Sequence, residues 1–86
     1  MPEISRFYGI LIRMYHDEHA PPHFHVYYQD REAVVRIDTL EVSRGKLPRR
    51  AIVLVAEWAL GHREELRENW RRVEEGIELL AIEPLE

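Results

Sequence analysis

The sequence contains no cysteine, only four glycines, and a single lysine among its twelve basic residues. Without thiols there are no disulfides and no thiolate metal sites, so a metal ion would have to be held by histidine, aspartate or glutamate. No apolar run approaches the roughly 20 residues needed to cross a bilayer, and no basic segment followed by an apolar stretch marks an export signal. A cytoplasmic protein with no membrane association is expected. Positive charge is also not in excess: the formal net charge is −4, which argues against coating nucleic acid by bulk charge. The deficit is uneven. Residues 1–56 hold eight basic and seven acidic side chains, and residues 57–86 hold four and nine, so the acidic surplus lies in the C-terminal third. Phosphate-binding glycine loops, nucleophile elbows, zinc-finger spacings and helix-turn-helix patterns are absent.

What is present fits one small domain spanning residues 1–86. A chain of this length buries only about two-thirds of its unfolded surface, and a homodimer would widen its stability margin. Ile4 to Tyr15 is rich in β-branched and aromatic residues and reads as one strand bent, or two strands split, at Gly9. Pro21 and Pro22 force a loop. A strand then resumes with Phe24, Val26 and Tyr28 on one face and His23, His25 and Tyr27 on the other. Gln29-Asp30-Arg31 makes a hairpin turn into a return strand over 32–38, and Leu40 to Ser43 adds a short edge strand. Pro48 suits a first helical turn. Ala51 to Leu60 is apolar except for Glu57, and the stripe Trp58, His62, Leu66, Trp70, Val73, Ile77 continues at helical spacing. Gly61 predicts a kink or short break and Gly76 a stop, after which Leu79 to Ile82 is expected to return as a strand. The fold expected is α+β: an antiparallel sheet of three to five strands (about 3–44) packed against one long or kinked helix (about 48–75), with a tail over 76–86.

Four of the five histidines fall at positions 16, 19, 23 and 25. Alternation along a strand puts His23 and His25 on one face, roughly 6 to 7 Å apart. Three readings stay open. Histidine, proline and aromatic residues make rigid packed turns; neutral imidazoles of His16, His19, His23 and His25, helped by Asp17 or Glu18, bind zinc or another divalent transition metal with a position left for water; or His23 and His25 act without metal as general base and general acid on a phosphodiester, with Arg36 on the neighbouring strand steadying the phosphate. A second candidate is the basic stretch Arg44, Lys46, Arg49 and Arg50, leading into a helix start that favours anions such as phosphate or RNA. A solvated loop is its plainer reading. Trp58 and Trp70 at helical spacing are expected in the core or at an interface.

Met14-Tyr15, His19-Ala20-Pro21-Pro22-His23-Phe24-His25, Gly45-Lys46-Leu47-Pro48, Trp58, His62 and Asn69-Trp70 together resemble a family of small bacterial proteins catalogued as domain of unknown function 4160. The resemblance covers nearly the whole chain. It departs at Glu18, where the family usually has aspartate, and at Gln29, where it usually has glycine. Members are commonly described as candidate toxin-antitoxin pairs, which implies a small protein partner encoded nearby. A weaker likeness of pattern links His23 or His25, the following hairpin and Gly45-Lys46-Leu47-Pro48 to HicA-like ribonuclease toxins. Shared pattern does not establish shared function. The function expected is the RNA-binding or RNA-cleaving component of a toxin-antitoxin-like pair, the alternative a non-enzymatic metal-binding or protein-interaction module built on residues 16–25.

Overall fold

The computed structural model describes residues 3–86. Strands β1 (Glu3–Phe7) and β2 (Ile10–Arg13) form a hairpin whose two loop residues, Tyr8 and Gly9, both have positive φ (50° and 79°). That pattern belongs to the tight hairpin turn matching the right-handed twist of its strands. The segment is therefore split at Gly9, and the split resets its alternation. Phe7 pairs directly with Ile10, so both enter the core. Tyr8, which alternation through an unbroken strand groups with Ile10 and Ile12, sits in the turn and is exposed.

Strands β3 (His23–Tyr28), β4 (Arg31–Arg36) and β5 (Val42–Gly45) complete a sheet in which every neighbour is antiparallel, in the order β1-β2-β3-β4-β5. The hairpin between β3 and β4 turns at Gln29 and Asp30, with Gln29 at φ 57°. Strand β4 stops at Arg36, short of the expected Asp38. Ile37 is nevertheless buried, and its amide donates to the Pro22 carbonyl at 3.0 Å. This bond ties the double-proline loop to the far end of β4.

The single long or kinked helix resolves into two: α1 (Arg49–Gly61) and α2 (Arg63–Glu75), broken at His62 with φ −131° and ψ 27°. Pro48 caps α1 from outside the first helical position. The break lets each helix turn its own apolar residues inward: Ala51, Val55, Trp58 and Ala59 from α1, and Leu66, Trp70 and Val73 from α2. They meet Ile10, Ile12, Phe24, Val26, Ala33 and Val35 in one core. The Trp58 ring lies 5.4 Å from that of Phe7 and 5.9 Å from that of Phe24. Ile77, placed on the same stripe by spacing, is exposed because α2 has already ended at Gly76.

The expected strand over Leu79–Ile82 does not form. The tail instead runs as an irregular strap held at separate points. Buried Asn69 donates to the Leu80 carbonyl and accepts from the Leu80 amide, both at 2.9 Å. The Trp58 indole donates to Glu83 O at 2.8 Å, and the Ile82 amide to Ile4 O at 2.8 Å. Among the described residues, no helix is long and apolar enough to cross a membrane.

Candidate metal centre on the outer sheet face

Alternation along β3 buries Phe24 and Val26 and leaves His23 and His25 half-buried on the opposite face. The loop between β2 and β3 folds back over them and brings in Glu18. Its Oε1 lies 3.1 Å from His23 Nε2 and in closer hydrogen-bond contact with His25 Nε2. One potential ligand atom from each of Glu18, His23 and His25 falls within 4.8 Å of the other two.

The hydrogen bonds behind the rings decide what the front nitrogens offer. His23 Nδ1 is 2.8 Å from the Pro21 carbonyl. A carbonyl only accepts, so Nδ1 carries a proton and Nε2 of the neutral ring presents a lone pair. His25 Nδ1 is buried without a hydrogen-bond partner and lies 3.7 Å from Glu32 Oε2. A proton on that nitrogen would face a carboxylate, again leaving Nε2 as the lone pair. Two imidazole lone pairs and a carboxylate oxygen then converge on one point. Acceptors crowded this way need a shared proton or a cation between them. In the shared-proton alternative, burial pushes the Glu18 carboxyl up, but hydrogen bonds from protonated Nε2 of His25 and His23, together with the charge those rings would then carry, outweigh burial and hold it below the ordinary carboxylate range.

Neighbouring rings fix the imidazoles. Trp70 reaches His23 from α2 at 5.2 Å, and Tyr15 meets His25 edge-on at 4.9 Å. The Tyr15 and Tyr27 hydroxyls are bonded at 2.7 Å. Burial, then this bond, pushes the Tyr27 phenol upward, so it stays neutral. The Arg13 guanidinium lies 5.3 Å from the centre of the Tyr27 ring.

Glu18, His23 and His25 form one wall of a pocket of about 440 Å³, and Arg36, Ser43 and Arg44 line it as well. Of the four histidines of the segment, the structure brings together only His23 and His25. His16 Nε2 donates to the Ile77 carbonyl at 2.7 Å, fastening the loop to the tail, while His19 lines the pocket without joining the ligand cluster. The basic candidates divide similarly: Arg36 and Arg44 reach the pocket, whereas Lys46, Arg49 and Arg50 are exposed outside it.

The family described as Domain of unknown function (DUF4160) matches residues 9–71. The chain belongs to the DUF4160 family. The matched span includes the double-proline loop, both site histidines, Glu18, Arg44 and Trp70. No curated protein and no solved structure matches this DUF4160 chain. Glu18, weighed in the sequence only as a helper to the histidines, is the residue on which the site closes. Its signal was an acid within reach of the loop, but loop geometry is not periodic. Trp70 gave no signal as a neighbour of His23, because helical spacing reports burial and not which ring is met.

Proposed function

We propose that this DUF4160 protein binds a divalent transition metal, zinc foremost, through Glu18 Oε1, His23 Nε2 and His25 Nε2. The observation that carries the reading is the His23 Nδ1 bond to Pro21 O, which commits Nε2 as a lone pair aimed at the same carboxylate oxygen that His25 approaches. Histidine ligands of metals characteristically donate their other ring nitrogen to a carbonyl or carboxylate. Pro21 supplies that acceptor for His23, and Glu32 stands where it would do so for His25. A metal would give both Nε2 lone pairs a compatible partner. Three protein ligands from histidine and glutamate are the donor set of open zinc sites, in which the metal acts as a Lewis acid and lowers the pKa of bound water. The protein's own residues orient the two rings and keep one side of the cluster open to the pocket.

Metal analysis of untagged protein tests this. About one equivalent of zinc, with melting raised by added zinc and both effects lost in His23→Ala and His25→Ala, is expected. Less than about a tenth of an equivalent, with unchanged melting, would discard the metal centre.

A second reading rests on the contact of Glu18 Oε1 with both imidazoles beside Arg36 in one pocket: a metal-free acid-base pair that cleaves RNA as the active member of a toxin-antitoxin-like pair. Growth arrest on expression and RNA cleavage that survives chelators would favour it. Unchanged arrest in the double His23→Ala, His25→Ala variant would remove the pair from the mechanism.

A further inference from the structure

The edge strand carries a device that the metal centre alone does not use. Val34 pairs with Arg44 and Val35 with Val42, so the register between β4 and β5 slips by one residue and Ser43 is the extra residue of a bulge. Without the slip, Ser43 would sit opposite Val34 and Arg44 opposite Ala33, whose side chain is buried in the core. With it, Val42 packs against the core beside Val35, while Arg44 moves to the row of His25 and Val34 and lines the pocket. Bulges commonly re-aim a side chain beside a functional site. Gly45 completes the feature: at φ 81° it passes so close to β4 that a Cβ would lie 2.2 Å from Glu32 O and 2.9 Å from Ala33 Cα.

Arg44 makes no ion pair or side-chain hydrogen bond among the described residues. Arg36, paired with His23 across the sheet, holds Asp38 through Nε at 3.1 Å and one terminal nitrogen, Nη2, at 2.8 Å. Its Nη1 makes no hydrogen bond among the described residues. Two guanidiniums therefore line the same pocket as the ligand cluster. From these placements we infer that the Ser43 bulge builds an anion site, and that the pocket takes a phosphate group through Arg44 and Arg36 beside the centre. The inference rests on the proposed centre for its second side but not for its arginines. A carboxylate has two oxygens for three cationic groups, whereas a terminal phosphate has three, enough to meet the Arg44 fork, Arg36 Nη1 and a metal together. Bound zinc would also offset Glu18, which with Glu32 beside His25 otherwise repels the ligand.

The shared chemistry is a phosphoester, and the oxygen count favours a terminal monoester, with three free oxygens, over the diester of a nucleic-acid strand, with two. Inorganic phosphate, phenyl phosphate and a diribonucleoside monophosphate, titrated separately by calorimetry into metal-free and zinc-treated protein, separate these sources. The expected result is binding that Arg44→Ala weakens about tenfold or more, that Arg44→Lys partly restores, and that Arg50→Ala leaves unchanged. Arg50→Ala makes the same charge change outside the pocket. Zinc binding, measured on the same samples, should be indifferent to Arg44. Phosphate affinity equal in wild type and Arg44→Ala, or equally reduced in Arg50→Ala, would overturn the inference, as would no binding of any of the three ligands. Arg44-dependent phosphate binding in a protein that takes no zinc would support the anion site and sink the metal centre alone.

Discussion

A histidine becomes a ligand or a packing element according to what its second nitrogen does, and the five histidines here divide on that point. His16 spends Nε2 on a tail carbonyl, and His62 binds Glu65 on its own helix. His23 instead commits Nδ1 to Pro21 and turns Nε2 to Glu18. The wall behind His23 is the Trp70 ring, so in the proposed metal centre Trp70 would be a positioning residue. Trp70→Phe should cost about 1 to 2 kcal/mol of stability as a partial truncation of a buried ring. It should also weaken zinc binding severalfold by loosening His23, whereas Leu66→Ala should lower melting more with zinc affinity of the folded protein unchanged. Zinc titration below the melting range reads the difference, and equal zinc affinity in Trp70→Phe would refute the positioning. At this scale the pairing of His23 with His25 was legible because β alternation is strict. Glu18 could be placed only as an accessory, because its position depends on the path of a proline-rich loop with no period.

At the scale of elements, the bulged edge and the charged face of α2 make the sharpest demands. Gly45→Ala places a Cβ against backbone in β4 and forces a positive φ on alanine. A loss of about 2 kcal/mol or more is expected in denaturant unfolding, and stability within about 0.5 kcal/mol of wild type would show that the edge can slip. On α2 the four-residue spacing of Glu68–Arg72 and Arg71–Glu75 brings these pairs together at 2.9 and 2.7 Å, and Glu68 also holds Arg71 at 2.6 Å. Hydrogen bonds from Arg71, then Arg72, bring Glu68 down to about 2. A carboxyl depressed on folding stabilises above its unfolded pKa, about 4.3, and that contribution is lost as pH falls through the folded value. The melting difference between wild type and Glu68→Gln should therefore be full above about pH 5, shrink below about 4 and vanish near 2. A difference independent of pH would assign the effect to something other than ionisation. Helix periodicity made these pairs legible, and Gly61 flagged the break, but nothing periodic signals a one-residue bulge. Arg44 was therefore grouped by sequence with Lys46, Arg49 and Arg50, from which the fold separates it.

Across the whole molecule, a sheet of short strands and two short helices is closed by a strap with no regular structure. The strap replaces the expected strand because its amides and carbonyls are satisfied singly, by Asn69, Trp58, Ile4 and Arg72. Asn69, wholly buried, holds Leu80 in both directions, a pairing that helix and strand patterns do not encode. Asn69→Ala should cost about 2 to 4 kcal/mol and release the tail to protease before global unfolding. Global unfolding without early tail cleavage would show that the strap is held elsewhere. Through His16 and Ile77 the same strap steadies the loop that carries Glu18, linking overall closure to the site.

The claim that organises these features is that Glu18, His23 and His25 hold a metal through the Nε2 atoms. Long-range ¹⁵N–¹H spectra of the imidazole rings during a zinc titration address it directly. The prediction is that His23 and His25 retain protons on Nδ1 while their Nε2 resonances move to metal-bound positions, with His16, His19 and His62 unchanged. Zinc that leaves His23 and His25 unmoved, or that shifts His16 and His19 in their place, would contradict it.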